Sequence, residues 1–149
     1  MNMQDIKKLR EETGAGVVDV KKALEENNGN YKKALDFLMA KMSKKAEKRA
    51  DRDAGDGLIH SYIHTGAKIG SLVHIGCETD FVAKTDQFKE LCHNIALQVC
   101  TGDFSDVAEL LESEYIKDTS KTIEHLVKEV TAKTGEKVEI KNFCKFSVN

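Results

Sequence analysis

Leu58-Ile59-His60-Ser61-Tyr62-Ile63-His64, then Thr65-Gly66-Ala67-Lys68, then Ile69-Gly70-Ser71-Leu72-Val73-His74-Ile75-Gly76-Cys77 is the stretch on which the fold class turns. The first run sets Ile59, Ser61 and Ile63 against Leu58, His60, Tyr62 and His64. The second sets Ile69, Ser71, Val73, Ile75 and Cys77 against Gly70, Leu72, His74 and Gly76. Period two is the repeat at which a strand sends successive side chains to opposite faces. The four-residue connection contains a glycine and predicts a hairpin turn. Beyond Cys77 the period changes. Phe88, Leu91, Cys92, Ile95, Ala96 and Val99 recur at helical spacing, and Gly102 stands past their end.

Toward the C-terminus, Val107, Leu110, Leu111 and Tyr115 predict one helix. Ile123, Leu126, Val127 and Val130 predict another, stopped near Gly135. The run from Val138 to Val148 is rich in strand formers. It carries Val138, Ile140, Cys144 and Phe146 on one parity, with Asn142 interrupting; a bulge or an edge near Asn142 is expected. Two strands, three helices and a third strand predict an α+β layer: a three-stranded antiparallel sheet with helices packed on one face.

Toward the N-terminus, three short helices are expected within the first forty residues. Ile6, Leu9 and Thr13 mark the first, ended by Gly14. Val17, Val20, Ala23 and Leu24 mark the second, ended by Asn27-Asn28-Gly29. Asn30 caps the third, where Tyr31, Ala34, Leu35, Leu38, Met39 and Met42 recur on one face. A small three-helix bundle over 1–42 follows. From Lys41 to Arg52 the apolar pattern gives way to basic residues and Gly55-Asp56-Gly57 closes the segment, so 43–55 reads as an exposed basic helical linker. The sheet and its helices then occupy 56–149.

The whole chain is 149 residues with a formal net charge of -2, which gives no global reason to bind nucleic acid or an anionic membrane. Its hydrophobic content of 40% is spread without any apolar run near the ~20 residues that span a bilayer. Met1-Asn2-Met3-Gln4-Asp5 has neither a signal-peptide core nor an Arg-rich transit composition, and the expected compartment is the cytoplasm. Four cysteines, at 77, 92, 100 and 144, lack Cys-x-x-Cys spacing and read as small core fillers.

No phosphate-binding loop, dinucleotide fingerprint or nucleophile elbow is present, so no small-molecule substrate, cofactor or catalytic residue is expected. His60, His64 and His74 share the hairpin and read as solvent-side strand histidines rather than metal ligands. Cys92 and His93, adjacent on a helix, diverge by about 100° and make a poor dyad. Two features speak of contact instead. Val17 and Val18, adjacent after Thr13-Gly14-Ala15-Gly16, cannot both enter a bundle core; either one is a staple contact and the other an incidental exposed side chain, or they form an apolar docking knob on a glycine-bounded loop. Thr79-Asp80-Phe81 stands at the strand-to-helix junction, where Asp80 or Thr79 caps the helix. Phe81 is either a core residue one heptad before Phe88 or a side chain projecting past the edge, and spacing leaves both open.

These same segments carry a resemblance. Leu9-Arg10-Glu11-Glu12-Thr13-Gly14-Ala15-Gly16-Val17-Val18-Asp19-Val20-Lys21-Lys22-Ala23-Leu24 is similar to the opening signature of the elongation factor Ts family. Cys77-Glu78-Thr79-Asp80-Phe81-Val82-Ala83-Lys84 resembles its most distinctive motif. Asp56-Gly57-Leu58-Ile59 and Gly135-Glu136-Lys137-Val138-Glu139-Ile140 resemble its strand starts, so the likeness covers nearly the whole chain. The resemblance implies a short form with a single core half, whose residues 1–42 form a ubiquitin-associated-like module docking on elongation factor Tu. It implies a non-enzymatic factor that releases GDP from Tu so that GTP can bind. Contacts with Tu are implied at Arg10, Val17 and Val18, and at Thr79, Asp80, Phe81 and Val82, with Asp80 and Phe81 disturbing the Mg²⁺ and phosphate site. Valines stand at 17 and 18, and Lys141 and Asn142 replace the family's usual arginines. A homodimer through the C-terminal strand or a sheet edge is a further expectation. The rival reading, a ubiquitin-associated adaptor, leaves Thr79 to Lys84 without a role.

Overall fold

The computed structural model describes residues 2–149. Three helices open the chain: α1 (Met3–Thr13), α2 (Val17–Glu26) and α3 (Tyr31–Arg49). Asn2 and Asn30 accept from backbone N–H groups at Gln4 and Lys33 and cap α1 and α3. Ile6, Leu9, Val20, Ala23, Leu24, Ala34 and Leu38 close over one another as a small core. That core has the stripes expected from spacing except for Val17, which the start of α2 leaves outside.

The third helix does not end with the bundle. It runs to Arg49, because nothing between Met42 and Arg49 breaks it: no proline, no glycine and mostly good helix formers. Nor is the segment a bare solvated face. The Arg49 guanidinium donates to the Thr131 carbonyl at 3.1 Å and Lys128 donates to the Ser43 hydroxyl at 3.2 Å, both across to the last helix of the chain.

The second unit is α+β, as the change of period requires. Strands β1 (Asp56–Ile63), β2 (Ile69–Cys77) and β5 (Glu139–Ser147) form an antiparallel sheet in the order β1-β2-β5. Between them lie α4 (Asp80–Ala83), α5 (Asp86–Cys100), α6 (Val107–Glu112), the two-stranded ribbon β3 (Glu114–Tyr115) and β4 (Asp118–Thr122), and α7 (Ile123–Thr134). Phe88, Leu91, Cys92, Ile95, Ala96 and Val99 of α5 meet Val73, Ile75 and Cys77 of β2 in the main core. Gly57, the second residue of β1, takes φ +141°, and a Cβ there would fall 2.1 Å from the Ile75 carbonyl oxygen, so only glycine lets the strands close.

Three expectations need correcting here. Tyr115 does not extend α6; it turns into the ribbon, whose backbone is held by buried Gln98 of α5. The Gln98 amide donates to the Glu114 carbonyl at 2.8 Å and accepts from the Ile116 N–H at 3.0 Å. A polar residue inside an apolar stripe was the one sign of this tether. Second, Val138, Ile140, Cys144 and Phe146 do not share a face. His74 pairs with Asn142 while Ile75 pairs with Ile140, which leaves Lys141 as an extra residue. The expected bulge is there, and one inserted residue reverses the parity after it. Phe143 therefore faces the core, and Cys144 and Phe146 face out. Third, the strand histidines divide. His74 is exposed, as its partner Ile59 is, whereas His60 lies half-buried on the α5 side with its Nε2 3.4 Å from His93 Nδ1. Burial holds the His60 pKa below its usual value, with the neighbouring His93 adding to the effect.

Candidate functional site

Two exposed apolar features sit on separate parts of the molecule, each fixed by short-range chemistry. The first begins where α1 stops. Gly14 takes φ +68°, the left-handed conformation that ends a helix, and its N–H donates to the Arg10 carbonyl. A Cβ at this position would also come 2.9 Å from Lys133 Cγ and 3.1 Å from the Glu129 carbonyl of α7. Glycine is needed here twice, for the turn and for the approach of the bundle to the core. Beyond it, α2 starts with its first-turn side chains outside. Val17 is 38% and Val18 79% exposed, while Val20 is fully buried. Arg10 is exposed on the last turn of α1. Asp19 joins α2 to α3 through Lys41 Nζ at 2.6 Å, and the hydrogen bond from Lys41 holds its carboxyl below the ordinary carboxylate pKa.

The second feature is the turn after β2. Cys77 is buried, and burial, with help from nearby Glu136 and Asp56, pushes its thiol up to about 11; its Sγ donates to the Thr79 carbonyl. Thr79, not Asp80, is the cap of α4: its Oγ1 accepts from the Val82 N–H at 3.3 Å. Asp80 is exposed and pairs with Lys84 at 2.6 Å. Phe81 is 81% exposed. Val82, grouped with the contact residues on the family likeness, turns inward with Ala83 and belongs to the core.

The heptad between Phe81 and Phe88 is only apparent. Thr85 interrupts it by capping a new helix: its Oγ1 accepts from the Phe88 N–H at 3.3 Å and donates to the Val82 carbonyl at 2.7 Å. With the helix restarted, Phe88 is fully buried and Phe81 is outside. A capping threonine at 85 was the available signal.

Two residues that local sequence reading passed over hold this turn. The Glu136 carboxylate accepts from the N–H groups of Glu78 at 3.1 Å and Thr79 at 2.9 Å, and from the Thr79 hydroxyl at 2.7 Å. Arg52 donates to the Gly135 carbonyl at 3.3 Å and places its Nη1 3.5 Å from Glu78 Oε1, an ion-pair rather than a hydrogen-bond distance. No spacing rule could have joined Glu136 to Thr79, 57 residues away.

Among the described residues, no three His, Cys, Asp or Glu side chains come together to hold a metal ion, and no helix is long and apolar enough to cross a membrane. The sheet's far face is apolar and open: Ile59, Ile63, Leu72, Phe146 and Val148 are all exposed there.

A family model described as elongation factor TS matches residues 78–149, the half of the chain that begins at the clamped turn. The elongation factor Ts of Moorella thermoacetica is 37% identical over 189 positions, covering 97% of this chain and 93% of that protein. The one from Thermotoga neapolitana is 37% identical over 191 positions, covering 99% and 97%. Both alignments exceed the 149 residues of this chain, so these relatives carry segments inside the matched span that it lacks. A longer relative from Nostoc is 41% identical over 143 positions, and this chain covers 45% of its length. With near end-to-end matches at this identity, the chain belongs to the elongation factor Ts family of translation elongation factors.

Proposed function

We propose that this protein binds elongation factor Tu carrying GDP and drives release of the nucleotide, so that GTP can enter. The observation that carries this reading is Phe81: a large aromatic side chain, almost wholly in water, on a turn whose backbone is held rigid. An isolated exposed apolar residue is ordinary, but one presented on a clamped turn is built to meet a partner. Phe81 and Asp80 press on the helices beside the Tu nucleotide and disturb the Mg²⁺ and phosphate site, with Thr79 holding the turn. Arg10, Val17 and Val18 provide the separate anchoring surface. Buried Val82 stands behind the turn rather than in the contact.

The thermodynamics is linkage. A factor that binds nucleotide-free Tu more tightly than Tu·GDP must weaken GDP binding by the same ratio. The protein needs no catalytic group of its own for this, and works in the cytoplasm as a protein-binding factor without cofactor. Two copies pair through the open sheet. The deciding experiment follows fluorescent GDP leaving the cognate Tu with and without this chain. Release should accelerate and saturate with added protein; an unchanged rate at saturating protein would sink the assignment.

A further inference from the structure

We infer that Glu136 is a positioning residue for nucleotide exchange: its carboxylate locks the backbone at Glu78 and Thr79 and so sets the direction of Phe81. The inference rests on the reading of Phe81 as the side chain that disturbs the nucleotide site. Phe81 cannot orient itself. It is 81% exposed, and α4 is four residues long, far too short to hold its shape alone. Its direction must come from the residues before and after it.

On the far side, Val82 and Ala83 are buried and Thr85 caps the next helix, which anchors the end of the turn. On the near side Cys77 Sγ donates to the Thr79 carbonyl and Arg52 pairs with Glu78, and the Glu136 carboxylate makes three further hydrogen bonds to the turn. Oε1 of Glu136 takes the N–H groups of Glu78 and Thr79, and Oε2 takes the Thr79 hydroxyl. That hydroxyl oxygen in turn accepts from the Val82 N–H, so the chain of bonds runs from Glu136 through Thr79 into α4. Hydrogen bonds to a charged acceptor are roughly twice as strong as neutral ones. Glu136 reaches this place because α7 stops at Gly135 in the left-handed conformation and its own N–H returns to the Thr134 hydroxyl at 3.4 Å. The end of one helix thus aims the start of another.

The test uses the full chain and cognate Tu loaded with fluorescent GDP. Glu136→Ala should lower the maximal release rate roughly tenfold at saturation while leaving the half-saturating concentration unchanged. Glu136→Gln keeps a carbonyl oxygen for the two amides and loses the acceptor for Thr79, so its rate should fall between. In the free protein, hydrogen exchange at the Glu78 and Thr79 amides should quicken in both variants. In a Phe81→Ala background, Glu136→Ala should cost nothing further, since there is no side chain left to aim. A folded Glu136→Ala protein that exchanges at full rate overturns the positioning role, and so do losses that simply multiply with Phe81→Ala. If Glu136→Ala fails to fold, the Gln variant decides by the same criteria. Full-rate exchange by Phe81→Ala alone brings down the reading of Phe81 as the side chain that disturbs the nucleotide site first, and the positioning role with it. A slow Phe81→Ala beside a normal Glu136→Ala brings down the positioning role only.

Discussion

Phe81 and the Val17–Val18 pair are both exposed and apolar, and truncating them has different expected consequences. Phe81 contributes nothing to the core, so Phe81→Ala should leave the melting temperature where it is. A buried phenylalanine would instead cost about 3–5 kcal/mol on truncation. On the proposed function the loss should show in the maximal rate of GDP release, because the surface proposed for Phe81 exists only once the helices around the nucleotide have moved. Val17 and Val18 are expected to touch Tu whichever nucleotide is bound. Replacing both with Ala should weaken affinity by roughly 1–3 kcal/mol and leave the saturated rate intact. Titrating each variant against Tu, with a thermal melt beside it, separates the two roles. A large drop in melting temperature for Phe81→Ala would contradict its placement outside the core.

Among the elements, the joint between α2 and α3 carries a measurable electrostatic signature. Asp19 lies in the first turn of α2, where a negative charge suits the helix dipole, and Lys41 bonds to it from α3. Its pKa is lowered in the folded state by that bond. A carboxyl depressed in this way contributes stability above its unfolded pKa of about 3.9 and loses it as pH falls through the folded value. Asp19→Asn should therefore cost roughly 0.5–1 kcal/mol at neutral pH, the scale of a partly exposed pair. Denaturant melts of both proteins should show that gap closing below about pH 4. A gap that stays constant to pH 2.5 would mean that the Asp19–Lys41 bond contributes nothing. The β5 bulge works at the same scale. By inserting Lys141 it puts Phe143 into the core and sends Phe146 out to 76% exposure.

At the scale of the whole molecule, the bundle and the sheet unit meet along α7. His125 Nε2 lies 3.0 Å from the Glu12 carbonyl and 2.7 Å from Glu129, Lys121 adds a second pair to Glu129, and Arg49 and Lys128 complete the seam. The exposed Val17 and Val18 are thus carried on the same body as Phe81. The opposite side of the sheet has no such cover. A face bearing Ile59, Ile63, Leu72, Phe146 and Val148 leaves five large apolar side chains in water together, and a two-fold axis would let it cover itself. The 16.6 kDa chain should scatter light as a dimer at micromolar concentration, and Phe146→Glu should return it to a monomer. Monomeric mass for the unaltered chain across that range would refute the pairing.

How much of this was legible beforehand follows from the range of each interaction. The helical stripes of α1, α3, α5 and α7, that of α2 apart from Val17, and the hairpin and its turn were determined by the sequence, which also marked a bulge or an edge near Asn142, because periodicity, caps and breakers act within a few residues. So was the family, through two ordered motifs far apart in the chain. The tertiary structure decided that 43–49 is seam rather than free linker, and it chose between readings that the sequence left open: Phe81 outside and Val82 inside, where the Thr85 cap was the local sign, and Tyr115 in a ribbon held by Gln98, where a polar residue in an apolar stripe was the sign. It alone brought Glu136 to Thr79. The seam and the Glu136 clamp depend on contacts between segments dozens of residues apart, and a local pattern carries no information about which distant side chain will arrive to complete it.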